Sequence, residues 1–381
     1  MKKAVLFVVL AICFGCKKPE VKPALSDEEI LSQHLTLPAQ PFEYANQPLP
    51  AHMQLNTLLA VDNTPGHNPV TNWGATLGRV LFYDKNLSTN GTIACASCHL
   101  QEHGFSDVKV KSLGFDGGET KRHSMGLINA RYYREGKFFW DERAATLEEQ
   151  VLMPIQDSVE MGLTLEQLLD RVQSKSFYPI LFERAFGTRE ITTDRISLAL
   201  SQFVRSIISY RSKYDAGRAM VSSQFEVFPN FTEEENRGKE LFMILGDGMR
   251  CLFCHSNESF TAQTITNNGL DAGVIDPGAG GITGNSSELS LFKAPSLKNI
   301  ALRAPYMHDG RFSTLMEVVE HYDTGIQPHP NLDQELKDFN TGLPKRFNLS
   351  ESDKQALISF LHTLTDSALV VDEKFSDPYM P

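Results

Sequence analysis

The sequence predicts an all-α fold made of two domains that share one plan. A five-residue pattern, Cys-x-x-Cys-His, occurs at residues 95–99 and again at residues 251–255, about one domain length later. A short helical stretch precedes each pattern, at residues 77–82 and 238–242. A strongly amphipathic helix closes each half, whereas the apolar alternation typical of strands is scarce. These observations favour two small helical domains in succession.

Apolar positions define the two closing helices. They recur at steps of three and four residues, which places them on one face of a helix. The residues are Ile196, Leu200, Phe203, Ile207 and Tyr210 in the first half and Leu357, Leu361 and Leu364 in the second. Ser350 with Asp353 predicts the start of the second closing helix, and Thr232 with Glu235 predicts the start of the helix before residues 251–255.

Length, composition and charge limit the class of protein. The 381 residues suffice for two domains with real cores, and 41% of them are apolar against 22% charged. These values exclude a collagen-like, a disordered and a polytopic membrane chain. The net charge of −11 argues against nucleic-acid binding and fits a basic or neutral partner.

Residues 1–16 have the pattern of an export signal. Lysines at positions 2–3 precede an apolar stretch at residues 4–14, which is too short to span a bilayer. The end of the segment resembles a lipoprotein signal, after which a lipidated Cys16 would hold the protein on a membrane surface. Cys13 stands where such signals usually carry an aliphatic residue, so ordinary cleavage nearby is the alternative. Both interpretations predict an exported, periplasmic protein.

The two Cys-x-x-Cys-His patterns indicate covalently bound haem. In c-type attachment, two thiols bond to the porphyrin vinyl groups and the next histidine becomes the proximal ligand of the iron. The residues are Cys95, Cys98 and His99 for one haem c and Cys251, Cys254 and His255 for the other. Disulfides and a four-cysteine zinc site are the alternatives, but neither accounts for a histidine directly after each pair.

These patterns predict an N-terminal haem domain at residues 61–225 and a C-terminal haem domain at residues 226–370. In each, a helix, a haem motif, a long loop and a closing helix follow one another, which is the cytochrome c pattern. Residues 17–60 are rich in proline and polar residues and predict a tether that wraps the domains, and residues 371–381 form a tail. The glycine-rich run 269–284 lacks phosphate-loop spacing and is predicted to be a surface loop.

Four further stretches accompany the haem motifs. They are GTIA at residues 91–94, FFWDER at 138–143, PIQDSVEM at 154–161 and APYMHDGR at 304–311. With these stretches the chain resembles the bacterial dihaem cytochrome c peroxidase and MauG family, from about Trp73 to Thr365. The resemblance implies two cytochrome c-like domains and an enzyme that reacts with hydrogen peroxide.

The resemblance assigns different tasks to the two haems. The haem held by His99 would react with peroxide, and the haem held by His255 would receive and store electrons. Glu160 matches the family's distal carboxylate. Such a carboxylate can shuttle the proton that peroxide loses on binding and regains as the O–O bond breaks.

Three other residues match family positions around the first haem. Gln150 and Pro154 match residues that line the same pocket. Thr146 with Glu149 is also a capping box, which would place Gln150 on an exposed helical turn instead. Trp140 matches the tryptophan between the two haems, where an indole offers an oxidisable bridge, although it also suits an aromatic core.

The sequence departs from the classical family pattern on the distal side of the first haem. An alignment through residues 112–114 places Phe115 where classical members carry a histidine that blocks the iron. Because phenylalanine cannot ligate iron, this haem is predicted to be five-coordinate or water-bound without reductive activation. His103 and His123 are alternative ligands nearby in the sequence, although such histidines more often lie on the surface or support a neighbour.

The distal ligand of the second haem is predicted on the segment after the His-Asp-Gly motif. Tyr322 stands where MauG-like proteins place a tyrosine ligand, and Met316 and His321 are alternatives on the same segment. A methionine would raise the haem potential, whereas a tyrosine phenolate stabilises the ferric state. Met307 and His308 are expected to pack near this haem without ligating it.

Family members also hold a calcium ion between the haem domains, through one asparagine side chain and backbone carbonyls. The carbonyls would belong to Arg303 and Pro305, but the asparagine position is His123 here. Calcium prefers hard oxygen ligands, and imidazole is a poor one. The sequence leaves open whether the site is lost or is completed by Asn129 or by water.

The leading functional prediction is a peroxidase that reduces hydrogen peroxide to water. A small cytochrome c or copper protein (a cupredoxin) would deliver electrons to the haem held by His255, and Trp140 would pass them on. The first alternative, which Phe115 and Tyr322 favour, is a MauG-like oxidase that acts on a protein or another organic substrate. The second is a non-catalytic electron carrier or sensor, which gives Glu160 no role. The resemblance also allows a homodimer.

Overall fold

The computed structural model describes residues 1, 3–5, 25–243, 249, 251–261 and 264–380. Most of the predicted export signal, including Cys16, lies outside these residues. Within the described ranges, no helix combines the length and the apolar character that crossing a membrane requires.

The described chain is mostly helical, which confirms the predicted class. The α-helices are α1 (Asp27–Ser32), α2 (Asn56–Leu59), α3 (Asn72–Tyr83), α4 (Leu147–Gln150), α5 (Met153–Gln156), α6 (Leu165–Gln173), α7 (Tyr178–Phe186), α8 (Thr193–Ser206), α9 (Lys213–Arg218), α10 (Glu233–Met243), α11 (Cys251–Cys254), α12 (Gly280–Thr283), α13 (Leu315–Glu320) and α14 (Glu351–Thr363). Among the described residues, the departure from an all-α fold is one antiparallel pair of short strands, β1 (Ile265–Thr266) and β2 (Phe292–Lys293).

The predicted helices of both halves are present. The stretches before the haem motifs belong to α3 and α10, and the closing helices are α8 and α14. The Thr232 hydroxyl accepts a hydrogen bond from the amide of Glu235 at 3.1 Å, and the Ser350 hydroxyl accepts one from the amide of Asp353 at 3.1 Å. Both helices therefore begin at the caps that the sequence predicts.

The first closing helix is shorter than its apolar pattern predicts. The pattern reaches Tyr210, whereas α8 ends at Ser206. The amide of Ser209 donates to Asn129 Oδ1 at 3.1 Å, and the amide of Tyr210 donates to Asp366 Oδ2 at 3.2 Å. Because these side chains bind the backbone donors that another helical turn would use, long-range contacts end the helix.

In each half, a glycine lets the helix before the haem motif cross the closing helix at close range. A Cβ atom on Gly78 of α3 would lie 2.0 Å from the carbonyl oxygen of Ala199 in α8. A Cβ atom on Gly238 of α10 would lie 1.8 Å from the carbonyl oxygen of Ala356 in α14. The two halves therefore repeat one helix crossing, and a larger residue at either glycine would push the helices apart.

Gly78→Ala is expected to lower the free energy of unfolding by about 1–3 kcal/mol, because the new methyl group overlaps main-chain atoms that cannot rotate away. Gly66 offers a matched control, since a Cβ atom there meets nothing within 4 Å. Urea unfolding of the full chain should show a lower midpoint for Gly78→Ala and a near wild-type midpoint for Gly66→Ala. Equal midpoints for the two variants would contradict the close crossing.

Asparagines tie the long loop of each half to the end of its closing helix. Asn129 and Asn299 both lie in the left-handed region, with φ of 60° and 61°, which asparagine tolerates better than most residues. The backbone amide of Asn129 donates to the carbonyl oxygen of Ile207 at 2.9 Å, and that of Asn299 donates to the carbonyl oxygen of Leu364 at 3.0 Å. This repeated geometry shows that the two halves follow one plan.

Buried apolar residues form one large cluster around α3 and α8 and another around α10 and α14. Segments from both chain ends pack on the first cluster. Leu35 forms an antiparallel bridge with Tyr379, and the Tyr44 hydroxyl donates to the carbonyl oxygen of Lys374. The first half is therefore enclosed by the residues before and after it, while the domain limits drawn from the sequence stay predictions.

Candidate functional site

A cavity of about 810 Å³ in the first half gathers residues that are distant in the sequence. Its size is typical of cofactor and ligand sites in proteins. The wall residues include Cys95, Cys98, His99, Trp140, Gln150, Pro154 and Glu160. The first haem motif and the residues matched to the family's reactive pocket therefore meet around one space.

His99 lies on this wall with one ring nitrogen held by the backbone. Its Nδ1 donates to the carbonyl oxygen of Phe105 at 3.0 Å, which leaves Nε2 for a metal. Burial lowers the pKa of His99, so its ring is neutral at pH 7. A neutral imidazole with an anchored second nitrogen is well suited to bind iron.

The four cysteines of the haem motifs are unpaired thiols. Burial raises the pKa of Cys95 to about 12 and that of Cys98 to about 11, and it raises the pKa of Cys251 and Cys254 to about 12. The two pairs line different cavities, and no three His, Cys, Asp or Glu side chains gather as a metal site among the described residues. The disulfide and zinc alternatives thus lack support, whereas two thiols beside a neutral imidazole fit haem c.

Glu160 is a half-buried carboxyl group on the wall of the first cavity. Burial raises its pKa to about 7, with the charge of Asp157 adding to the rise and that of Arg143 opposing it. Its amide donates to Asp157 Oδ1 at 3.2 Å, and its carbonyl oxygen accepts from the amide of Phe115 at 3.0 Å. The backbone is thereby fixed, and a carboxyl group of this pKa can take and return a proton at neutral pH.

Gln150 is the last residue of α4 and lies half-buried on the same wall. The Thr146 hydroxyl caps this helix by accepting from the amide of Glu149 at 3.1 Å. The helical turn and the position at the cavity are therefore compatible.

Phe115 is not among the residues that line the first cavity. Its ring lies against Gly162, where a Cβ atom would come within 2.5 Å of Phe115 Cε1. Leu113 and Gly114 form the wall at this segment instead. Within residues 113–115, therefore, no side chain that could ligate an iron lines the cavity.

His103 and His123, the alternative ligands for the first iron, are not available for that role. His123 lies on the cavity wall, but its Nε2 bonds to the Ser106 hydroxyl at 3.2 Å and its Nδ1 bonds to the carbonyl oxygen of Lys109 at 3.0 Å. His103 ends a 3₁₀ turn and does not line the cavity. Neither ring is therefore placed to bind iron in the first cavity.

The glycine-rich run 269–284 is more than the surface loop that the sequence predicts. It contains α12, and several of its residues line the first cavity although they belong to the second half. Arg122 fixes the run by donating to both carboxylate oxygens of Asp276 at 2.7 Å. The second half thus supplies part of the wall of the first cavity.

A second cavity carries the other haem motif on its wall. Cys251, Cys254 and His255 line it, and α11 joins the two cysteines. Burial lowers the pKa of His255 to about 4, so this ring is also neutral at pH 7. The second motif therefore offers the same set of donors as the first, two thiols and a neutral imidazole.

Tyr322 lines the second cavity from a π-helical turn at His321–Gly325. Such turns are rare and often occur at functional sites. The Tyr322 hydroxyl accepts a hydrogen bond from Asn268 Nδ2 at 3.3 Å, and burial raises its pKa to about 12. The phenol is therefore oriented by a neighbour and keeps its proton unless a cation displaces it.

The alternatives to Tyr322 lie elsewhere. Met316 packs in the second hydrophobic cluster and does not line the cavity. His321 is also absent from the wall and donates from Nε2 to the carbonyl oxygen of Asn268 at 3.1 Å. Met307 does line the cavity, where its sulfur accepts from Asn268 Nδ2 at 3.5 Å.

Trp140 lines both cavities. Its indole Nε1 donates to the carbonyl oxygen of His123 at 2.8 Å, and its own carbonyl oxygen accepts from the amide of Lys293 at 2.8 Å. The ring of His308 lies edge-on to the Trp140 ring, with 6.4 Å between their centroids. The backbone carbonyl oxygen of His308 accepts a hydrogen bond from the backbone amide of His123 at 2.8 Å. The two halves exchange backbone hydrogen bonds around a shared aromatic wall.

The residues at the family's calcium position do not fit a calcium ion. The side chain of His123 offers no oxygen, and both of its ring nitrogens have hydrogen-bond partners. Asn129 Oδ1 already accepts from the amide of Ser209 at 3.1 Å. The buried guanidinium of Arg303 lies close by, since its charge adds to burial in lowering the pKa of His123. A dication beside this cation would be repelled.

A helical chain with a Cys-x-x-Cys-His motif on the wall of each of two cavities, and an indole that lines both, has the features expected of a di-haem c-type cytochrome. The chain belongs to the di-haem cytochrome c peroxidase family, whose family model matches residues 73–220. It is 33% identical over 319 residues to the methylamine utilization protein MauG of Methylophilus methylotrophus, covering 83% of this chain and 88% of that protein. It is also 33% identical over 296 residues to the cytochrome c551 peroxidase of Nitrosomonas europaea, covering 76% and 79%.

The fold is also similar to a solved structure of the same kind. The crystal structure of a MauG-like protein associated with microbial copper homeostasis has a TM-score of 0.73 and 32% sequence identity, covering 87% of this chain and 99% of that one. The family implies two haem c groups. A MauG and a peroxidase of this family share the same 33% identity with this chain, so the identity alone does not decide between the two activities.

Three side chains at the cavities have no motif in the sequence. Asn268 donates to both Tyr322 and Met307, and Lys293 lines both cavities with its Nζ 3.8 Å from the centroid of the Tyr133 ring. Arg303 enters the sequence analysis only through its carbonyl group, yet its side chain lies at the boundary of the halves. Each position depends on segments that meet only in the folded chain.

Proposed function

We propose that this protein reduces hydrogen peroxide to water at the first cavity. The observation that supports this most directly is Glu160, a carboxyl group with a pKa of about 7 on the same wall as His99. Peroxide needs a base as it binds and an acid as its O–O bond breaks, and one carboxyl group of this pKa can act as both. Each peroxide consumes two electrons and two protons and yields two waters.

The haem proposed at His99 supplies, when bound, the iron that binds peroxide and passes electrons to it. The residues of the chain manage the proton and the space. Glu160 takes the proton from peroxide and returns it to the departing oxygen, and Gln150 and Pro154 shape the wall beside it. Phe115 stands in place of the histidine that would block the iron and cannot ligate it, so in this proposal peroxide would bind before the second haem is reduced.

A small electron-donor protein, a cytochrome c or a cupredoxin, supplies the electrons one at a time to the haem at His255. Trp140 lines both cavities and offers an aromatic route between them. The net charge of −11 favours a basic or neutral donor. The proposed location is the periplasm, with a lipid on Cys16 holding the protein at a membrane surface.

A MauG-like oxidase is the second candidate, and Tyr322 favours it. Tyr322 lines the second cavity, whereas Met316 does not. A tyrosine phenolate stabilises ferric iron, whereas a methionine raises the potential. A second haem that is hard to reduce suits an enzyme that withdraws electrons from a protein or another organic substrate.

Mixing the holoprotein with peroxide and a reduced small cytochrome c distinguishes the candidates. Rapid oxidation of two cytochromes per peroxide supports the peroxidase. Slow oxidation of the cytochrome, together with a long-lived change in haem absorption, supports the oxidase. A protein inert to peroxide would be a carrier or sensor, and an electron paramagnetic resonance spectrum of only low-spin haem in the oxidised protein would contradict the open first iron.

A further inference from the structure

A buried arginine lies at the boundary between the two haem sites. Arg303 is 4% exposed and lines the second cavity. Its Nη2 donates to the carbonyl oxygen of Ser296, whereas its Nε is buried without a hydrogen-bond partner. Burying a guanidinium with an unused donor is costly unless an anion satisfies it.

The backbone of the first half leaves room for this side chain. A Cβ atom on Gly126 would lie 2.1 Å from Arg303 Nη1, and a Cβ atom on Gly104 would lie 2.9 Å from Arg303 Cγ. Gly126 itself lines both cavities. An arginine of the second half therefore occupies a space that glycines of the first half keep free.

The charge of Arg303 has no acidic partner among the described residues. Burial lowers its pKa to about 10, which still leaves it protonated at pH 7. The carboxylates of Asp141 and Asp276, on the wall of the first cavity, already pair with Arg122. Arg303 and His255 both line the second cavity.

We propose that the Arg303 guanidinium is the resident cation at the boundary between the two haem sites and that no calcium ion binds there. The proposal rests on haem attachment at His255, because that haem, once bound, would bring propionate carboxylates to the cavity that Arg303 lines. A planar guanidinium matches carboxylates well. Its charge and the missing oxygen ligand at His123 both exclude calcium. The guanidinium of Arg303, which is part of the chain, thus takes the place of a calcium ion that could dissociate.

The first test measures calcium binding directly. Holoprotein dialysed against EGTA should show no binding in a calorimetric titration with calcium chloride, and its haem absorption and both reduction potentials should not change on chelation. One tightly held calcium per chain, whose removal changes the haem spectrum, would overturn the proposal. These measurements use no peroxide, so they succeed or fail independently of the proposed reaction.

The second test measures the effect of the charge. Arg303→Gln should lower the reduction potential of the haem at His255, because the ferric state gains more than the ferrous state from losing a neighbouring cation. Arg303→Lys keeps the charge, so the reduction potential of this haem should stay close to the wild-type value. Arg237→Gln is the control, since it removes an exposed arginine paired with Asp353.

An unchanged potential in Arg303→Gln would overturn the assigned role. If that variant does not accumulate as a folded protein, the calcium titration of the wild-type protein decides the question. A potential that falls equally in Arg303→Gln and Arg237→Gln would mean that net charge alone matters, which also contradicts the proposal.

Discussion

Glu160→Gln is expected to slow peroxide turnover by about 100-fold or more while both haems stay attached. Glutamine has nearly the same shape as the protonated carboxyl group, so the cavity wall is preserved, but its amide cannot take a proton from peroxide. A steady-state assay with peroxide and a reduced cytochrome c measures the loss. The haem content of the variant, from its absorption after denaturation in pyridine, shows that attachment is intact.

The same carboxyl group should set the pH dependence of the wild-type enzyme. The pKa of Glu160 is about 7, so below that pH the group is protonated and cannot act as a base. The value of kcat/KM for peroxide should rise as the pH increases through about 7, and Glu160→Gln should lack this rise.

Glu166→Gln is the matched control for this prediction, because Glu166 is an exposed carboxylate in the first turn of α6. Its turnover should stay near the wild-type value at every pH. Unchanged turnover in Glu160→Gln, or an equal loss in both variants, would remove Glu160 from the mechanism.

The haem motifs and the paired helices could be predicted because adjacent residues encode them. Five consecutive residues define each haem motif, and the apolar spacing within α8 and α14 defines their buried faces. The caps at Thr232 and Ser350 need only the next turn of the chain. Gly78 and Gly238 stand at equivalent places before the two motifs, yet their role becomes evident only when the opposite helix is in place.

Contacts between distant segments could not be predicted in this way. The end of α8 depends on Asn129 and Asp366, which bind its next amides. Asn268 reaches Tyr322 across the second cavity, and Arg303 fills a space that glycines of the other half leave open. None of these side chains has a periodicity or a spacing that marks it, because its partner comes from another part of the fold.

The two halves share a plan but differ in the acid–base chemistry of their cavities. The first has Glu160, whose pKa is about 7, and the second has Tyr322, whose pKa is about 12. A group that exchanges protons near neutral pH suits the turnover of a small oxidant. A phenol that keeps its proton until a metal displaces it suits a permanent ligand, so this difference supports an open first haem and a closed second haem.

Tyr322→Met is expected to raise the reduction potential of the haem at His255, within the roughly 0.8 V range that axial ligands set. A phenolate favours ferric iron, whereas a thioether favours ferrous iron. The donor should then reduce this haem more readily, so peroxide-dependent oxidation of a cytochrome should become faster. A potentiometric titration followed by absorption measures the shift, and electron paramagnetic resonance reports the change of ligand.

Two control variants separate ligation from packing around the second haem. Tyr306→Phe also removes a hydroxyl from this cavity wall, but that hydroxyl donates to the carbonyl oxygen of Ile300 at 3.2 Å, so the haem spectrum should persist. Met316→Leu should leave the spectrum unchanged, because Met316 does not line the second cavity. If instead Met316→Leu removed the low-spin signal and Tyr322→Met did not, the ligand would be the methionine. The second haem would then be easy to reduce, which favours the peroxidase over the oxidase.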